Sequence, residues 1–154
     1  MKVKTKDVVE AYNNLKELKI SSVDDETMIN LWKNIKAFRP IVEERNKDGE
    51  AVKTSLMDDK FNEMQQRLMH AKEREEKKNR GEYELNAEDI IDVTEINTYF
   101  AEFNRKSEKF FNELDEKENE VDVHMLSENE MLKALKSNGK DFKVMETLSW
   151  LFIG

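Results

Sequence analysis

The sequence predicts a mainly α protein, and three features carry that prediction. Only 4 Gly and 1 Pro occur in 154 residues, too few turn-formers for the many short strands of a sandwich or barrel. Charged residues make up 39% of the chain, which is typical of long solvent-bathed helices. Apolar residues recur at steps of three and four, the spacing of a helix with one buried face. We therefore expect one helical domain, residues 1–154, built as an antiparallel hairpin or bundle of five to six helices with a two-stranded β-ribbon.

The first forty residues predict a short strand and two helices. Residues 1–5 alternate in polarity, and the apolar stripe after them indicates a helix that ends near Lys19. Start signals at 21–26 open a second helix. Its apolar stripe consists of Met28, Leu31, Trp32, Ile35, Phe38 and Val42. Pro40 falls inside this stripe and predicts either a kink near Ala37 or a break into two shorter helices.

Turn-forming residues predict loops at 46–53 and 80–87 on either side of a third helix. The first loop is indicated by Asn46 to Gly49, since Gly accepts positive φ. The third helix, about 54–79, loses its apolar stripe in its charged end, 72–80. Such an end projects into solvent, frays, or waits for a partner.

The second half predicts a long helix, a strand and two short helices. The helix, about 88–118, has a regular apolar seam and is expected to pack antiparallel on the third helix. That seam consists of Val93, Ile96, Phe100, Phe103, Ser107, Phe110 and Leu114. Residues 120–126 alternate in polarity, so we expect them to pair with residues 1–5. A capping box at Ser127 opens one short helix, and Asp141 opens the last.

The sequence contains no motif that indicates catalysis. There is no Cys, which excludes disulfides and thiolate chemistry, and the two histidines, His70 and His124, lie far apart in the chain. Glycine-rich phosphate loops, the serine hydrolase elbow and the calcium-binding loop are all missing from the sequence. We therefore predict no enzymatic activity, no catalytic residue, no metal site and no cofactor.

Charge is distributed unevenly along the chain. Residues 1–80 carry 18 Lys and Arg against 16 Asp and Glu, whereas residues 81–154 carry 8 against 18. A net charge of −8 repels phosphate backbones, so no nucleic-acid partner is expected. The basic run at 72–80 is interleaved with Glu and is read as a solvated helix face. The acidic run of Asp115, Glu116, Glu118 and Glu120 is a candidate surface for a basic partner.

Aromatic rings beside cations offer a second reading of the fourth helix. Phe100, Phe103, Phe110 and Phe111 lie close to Arg105, Lys106 and Lys109, a pattern that can stack nucleic-acid bases. Three of these rings lie on the apolar seam, so core packing accounts for them, and Phe111 is expected to flank the same core.

The carboxyl-terminal LSWLFIG is the most apolar stretch of the chain. Its large side chains, Trp150, Leu151, Phe152 and Ile153, cannot all lie on one side of a helix. One reading is that the tail docks on the first two helices, where each buried side chain contributes about 2 kcal/mol. The other reading is a hook that binds a partner, because exposed apolar clusters mark interaction surfaces.

The sequence also bears on location. No run of residues is apolar enough for a membrane span, and charges interrupt the opening MKVKTKDVVEAYNNL, which argues against a secretory signal. We expect a cytosolic protein that is not secreted and has no membrane association.

Four segments resemble a family of small helical proteins encoded by phages and prophages of gut bacteria. They are KVKTKDVVEAYNNLKELKI, AFRPIVEE, FFNELDEKENEVDVHMLSENEML and METLSWLFI. The resemblance implies a phage setting and an all-helical body with a short strand before the capping-box helix, and it brings no catalytic residues. It leads us to expect a structural or assembly factor of the virion that acts by protein–protein interaction, with viral or host partners or as a homo-oligomer. The alternative is an acidic inhibitor or decoy that binds a host defence or nucleic-acid-binding protein.

Overall fold

The fold is mainly helical, as the sequence predicts. The structure, a computed structural model, describes residues 1–153, and this part of the chain contains six α-helices and two short strands. In chain order they are β1 Lys2–Lys4, α1 Thr5–Glu17, α2 Asp25–Leu56, α3 Asp59–Asn79, α4 Ala87–Glu116, β2 Glu118–Glu120, α5 Glu128–Ser137 and α6 Phe142–Leu148, with a 3-10 turn at Ser149–Leu151. Within residues 1–153 no helix is both long and apolar enough to cross a membrane.

The chain forms two compact units, where composition suggested one domain. Unit 1 comprises Met1–Asp48 and the chain from Glu113 onward, and unit 2 comprises Gly49–Asn112. Unit 1 holds the larger core, to which α1, α2, α5 and the last residues contribute. Its fully buried side chains include Val8, Leu15, Leu31, Phe38, Leu126, Met131, Leu135, Leu148 and Leu151.

The amino terminus pairs with the chain after α4, which confirms the predicted ribbon. β1 and β2 are antiparallel, with Val3 opposite Asn119. The Asn119 side chain also donates to Thr5 Oγ1 at 2.8 Å, which ties the ribbon to the first turn of α1. The second strand is 118–120, so the predicted bounds of 120–126 are wrong.

Val121 still bonds to the backbone of Met1, and the chain then leaves the ribbon, where a side chain satisfies the backbone of His124. The fully buried Asn34 accepts from the N–H of His124 at 2.8 Å and donates to its carbonyl oxygen at 2.7 Å. These are the two bonds that a neighbouring strand would make. Leu126 then forms an isolated parallel bridge with Phe152.

α2 runs unbroken through the segment predicted to be a loop at 46–53. The turn propensity of Asn46 to Gly49 is outweighed because the buried stripe of the helix continues past these residues. Val42 and Gly49 are buried, and Val52 and Leu56, at the next helical steps, are half-buried. Tertiary packing of an apolar face commonly outweighs such propensities.

Of the two outcomes predicted at Pro40, a kink or a break, the break does not occur, because α2 is one continuous helix. Proline leaves the carbonyl of Lys36 without its helical N–H partner. Both residues are exposed, so water can hydrate that carbonyl, which makes the defect tolerable on this side of the helix.

Unit 2 is the predicted antiparallel hairpin of α3 and α4. α3 begins at Asp59 rather than near Thr54, because the Asp58 side chain accepts from the N–H of Phe61 at 2.9 Å and caps the helix. The Phe61 ring packs 4.8 Å from that of Phe103. Gly81, with φ +74°, turns the chain after α3, and the predicted connection at 80–87 is present except that α4 already begins at Ala87.

Ion pairs to α4 hold part of the charged end of α3, which composition suggested would project into solvent. Arg67 lies 2.5 Å from Asp92 Oδ1, and Arg74 lies 2.8 Å from Asp92 Oδ2 and 3.2 Å from Asp89. The guanidinium of Arg67 is the largest cause that lowers the pKa of Asp92. Residues 75–80 beyond this network are all exposed.

Candidate protein interaction surfaces

The carboxyl-terminal tail, Leu148–Ile153, is largely part of the unit 1 core. Leu148 and Leu151 are fully buried, and the ring of Trp150 packs 5.5 Å from that of Phe38. Backbone bonds fix the segment on both sides of Phe152, with Leu126 donating to Leu151 and accepting from Ile153, at 2.7 and 3.1 Å. In this arrangement Leu151 cannot reach a partner, and Phe152 is half-buried. Ile153, 65% exposed, is the one large tail side chain that projects into solvent.

The acidic run is matched by cations of the same unit. Asp115 accepts from Arg45 at 2.7 Å, and Glu116 lies 2.6 Å from both Lys4 and Lys6. In the ribbon, Glu118 is opposite Lys4 and Glu120 is opposite Lys2. The acidic excess of the second half is therefore partly offset, because folding brings the basic amino terminus against it.

The carboxyl of Glu116 has a pKa well below its usual value. Hydrogen bonds from Lys4 and then Lys6 lower its pKa from 4.5 to about 2. Because the folded pKa lies below the unfolded one, this pairing stabilises the fold above pH 4.5. The contribution disappears as the pH falls from about 4.5 to about 2.

Replacing Glu116 should therefore give a pH-dependent loss of stability. We expect Glu116→Gln to lower the urea midpoint of unfolding at pH 7, and the gap to wild type to close as the pH approaches 2. Urea titrations followed by circular dichroism at pH 7, 4 and 2 measure this. The exposed Glu113→Gln is the matched control and should not change the midpoint. An equal gap for Glu116→Gln at every pH would contradict the assignment.

Trp32 was predicted to belong to the buried stripe of α2, and that prediction is wrong. Its side chain is 58% exposed, and Ile29, one turn before it, is 52% exposed. Leu31 and Phe38 fill the core side together with the polar Asn34. Adjacent residues on a helix are about 100° apart, so Leu31 and Trp32 cannot share one narrow face.

The exposed side of α2 combines this apolar surface with positive charge, and we call it the Trp32 face. It consists of Ile29, Trp32, Lys33, Lys36, Arg39 and Pro40, all exposed. Residues 27–42 carry three basic and no acidic side chains in a chain of net charge −8. Lys36 Nζ lies 5.0 Å from the centre of the Trp32 ring, a cation–π contact. Within residues 1–153 no carboxylate lies within ion-pair distance of Lys33 or Arg39.

A second exposed apolar surface lies on the first turns of α4, and we call it the Ile90 face. It consists of Glu88, Ile90, Ile91, Thr94 and Thr98, all exposed. Ile90 and Ile91 are 61% and 58% exposed. Val93, at 39%, was predicted to lie in the seam and is also exposed. Residues 81–104 contain seven Asp and Glu and no Lys or Arg, but Asp89, Asp92 and Glu95 pair with arginines of α3. Within residues 1–153, Glu88 is the carboxylate of this face that has no ion pair.

The rings further along α4 only partly follow the predicted seam. Phe103 packs against Phe61, but Phe110 is 42% exposed and lines a cleft of about 610 Å³ with Lys106 and Lys109. Asp58 and Glu102 line the same cleft, and Glu102 pairs with Arg105. The cleft therefore contains both signs of charge, since Lys60 and Arg105 line it as well.

Each of the two histidines lies beside a carboxylate in the described residues. His70 is exposed beside Glu73, and His124 Nε2 lies 3.6 Å from Asp122. Within residues 1–153 no group of three or more His, Asp or Glu side chains could hold a metal ion. The exposed helix faces are the features that most resemble a functional surface.

Comparisons of the chain with protein-family models, curated proteins and solved structures found no match. The functional assignment is therefore argued from the surfaces themselves.

Proposed function

We propose that the protein is a non-enzymatic assembly factor of a phage particle and that it binds a protein partner through the Trp32 face. The exposure of Trp32 carries this proposal. Trp and Arg are the residues that most often dominate binding energy at protein interfaces. A Trp held at the surface beside Lys36 exposes apolar area that only a partner would bury. The resemblance of four segments to phage-encoded helical proteins supports the setting.

The other two candidate surfaces offer less to a partner. Asp115 and Glu116 already have cationic partners, so a basic protein would have to compete with Arg45, Lys4 and Lys6 for them. This weighs against the acidic inhibitor or decoy as the first choice. The tail would have to leave the core before Leu151 could be used, which would expose its fully buried side chain.

The proposal is tested by replacing the Trp32 face in the phage that encodes the chain. We expect Trp32→Ala combined with Ile29→Ser to reduce the yield of infectious particles by about tenfold or more, since truncating a binding hot spot costs about 30-fold in affinity. The purified variant should keep the wild-type urea midpoint, because both side chains are exposed.

Phe142→Ser is the matched control, because Phe142 is 74% exposed on α6 and lies outside the Trp32 face. It should leave the particle yield unchanged. A Trp32→Ala, Ile29→Ser variant that is folded and gives wild-type yield would contradict the proposal.

A further inference from the structure

The Trp32 face and the Ile90 face have complementary properties. Each has two large apolar side chains at its centre, Ile29 with Trp32 on one and Ile90 with Ile91 on the other. The first is flanked by Lys33, Lys36 and Arg39, and the second by Glu88, which is exposed and has no ion pair within residues 1–153.

Several charged side chains of the two faces form no ion pair within residues 1–153. Lys33 and Arg39 have no carboxylate within ion-pair distance in residues 1–153, and Lys36 contacts the Trp32 ring. Glu88 is likewise exposed without an ion pair in that part of the chain. Glu95 is exposed but contacts Arg67, so we do not count it as available.

From these two faces we propose that the protein self-associates, with the Trp32 face of one copy docked on the Ile90 face of a second copy. This rests on the proposed function, and it names the partner as another copy of the same chain. The charge complementarity of the two faces favours this occupant. Each whole chain carries −8, so copies repel one another except where such locally opposite faces meet.

Such a contact joins two different faces and is therefore heterologous. A copy that uses its Trp32 face still has an Ile90 face, so copies either close into a ring, of which a reciprocal dimer is the smallest, or add on as an open chain. One face of one helix is a small contact, and standard stable interfaces bury about 1,600 Å². We therefore expect weak association of isolated copies that increases with concentration.

A charge-swap experiment on the full chain tests the contact. Lys33→Glu with Lys36→Glu makes both faces of one variant acidic, and Glu88→Lys with Thr94→Lys makes both faces of the other basic. Sedimentation velocity over a concentration series should show each variant alone with its dissociation constant raised about tenfold or more. An equimolar mixture should recover association to within about threefold of wild type, because each acidic face then meets a basic one.

Lys140→Glu with Lys143→Glu is the matched control for the acidic variant, since it also replaces two Lys by Glu on exposed residues outside both faces. It should associate as wild type does. The inference is overturned if wild type stays monomeric at millimolar concentration, if the swap variants associate normally, or if their mixture does not recover.

These outcomes are separable from the proposed function. If the chain is monomeric but its Trp32→Ala, Ile29→Ser variant still reduces particle yield, the self-association is overturned. The assembly role then stands, with a different partner. If the chain self-associates through these faces but the variant gives normal particle yield, the assembly role is overturned and the contact between copies stands.

Discussion

Truncation after Thr147 is expected to unfold unit 1. The deletion removes Leu148 and Leu151, both fully buried, and the ring of Trp150 that packs on Phe38. Loss of one buried Leu side chain costs about 2–5 kcal/mol, and domains of this size are stable by only about 5–15 kcal/mol. The deletion also frees the backbone of Leu126, which bonds to the tail on both sides.

Circular dichroism during urea titration measures this loss. The truncated chain should lose the cooperative transition of unit 1, with a large fall in helical signal before urea is added. Ile153→Ser is the matched control, because that side chain is 65% exposed, and it should change the free energy of unfolding by less than about 0.5 kcal/mol. A truncated chain with the wild-type urea midpoint would show that the tail is not part of the core and would restore its reading as a partner-binding hook.

Replacing Asn34 is expected to have the second-largest effect on stability. Asn34 is fully buried and makes two bonds to the backbone of His124, of 2.8 and 2.7 Å. Asn34→Ala leaves the N–H and the carbonyl of the half-buried His124 without these partners, and each group shielded from water costs about 1–3 kcal/mol. Because the loop at 121–126 leads to Leu126, the loss should spread to the backbone bonds that hold the tail.

Asn30 provides the control for Asn34 on the same helix. Its amide donates to the carbonyl of Met125 at 3.4 Å, a long single bond, so Asn30→Ala should cost about 1 kcal/mol or less. Urea titration compares the two variants, and hydrogen exchange at the amide of His124 reports the local opening. Equal losses of stability for Asn30→Ala and Asn34→Ala would contradict the role given to Asn34.

Local sequence signals predicted the parts of the fold that local chemistry determines. Half of the predicted capping box is present: the Ser127 hydroxyl accepts from the N–H of Glu130, whereas the Glu130 carboxylate accepts from the N–H of Asp24. The alternating amino terminus pairs with the chain after α4, because unpaired strand backbone requires a partner. Gly81 turns the chain between the two helices of the hairpin.

Other features depend on contacts that spacing alone does not show. The continuation of α2 through 46–53 reflects the inward stripe of Val42 and Gly49, which outweighs the turn signal. The helical spacing of Leu31, Asn34 and Phe38 was the signal that could have shown Trp32 to be exposed, since a helical wheel puts it with Ile29 and Lys36. Hydrophobicity alone favours burial of Trp32, whereas its angle on the helix puts it on the exposed side.

The acidic run shows why charge counted along the chain is a poor guide to a surface. Residues 81–154 hold the whole acidic excess, but folding pairs Glu116 with Lys4 and Lys6 and puts Glu120 opposite Lys2 in the ribbon. Unit 1 and unit 2 each carry a net −4, with 15 Lys and Arg against 19 Asp and Glu in the first and 11 against 15 in the second. The distinguishing charge features are therefore the two helix faces and not the two halves.

The central claim is that the Trp32 face is covered when the protein acts. Hydroxyl-radical labelling with mass spectrometry tests it most directly, by comparing the free chain with the chain in assemblies isolated from infected cells. We predict that Trp32 is labelled readily in the free chain and is protected in the assemblies, whereas Phe142 is labelled in both. Equal labelling of Trp32 in the two states would contradict the claim.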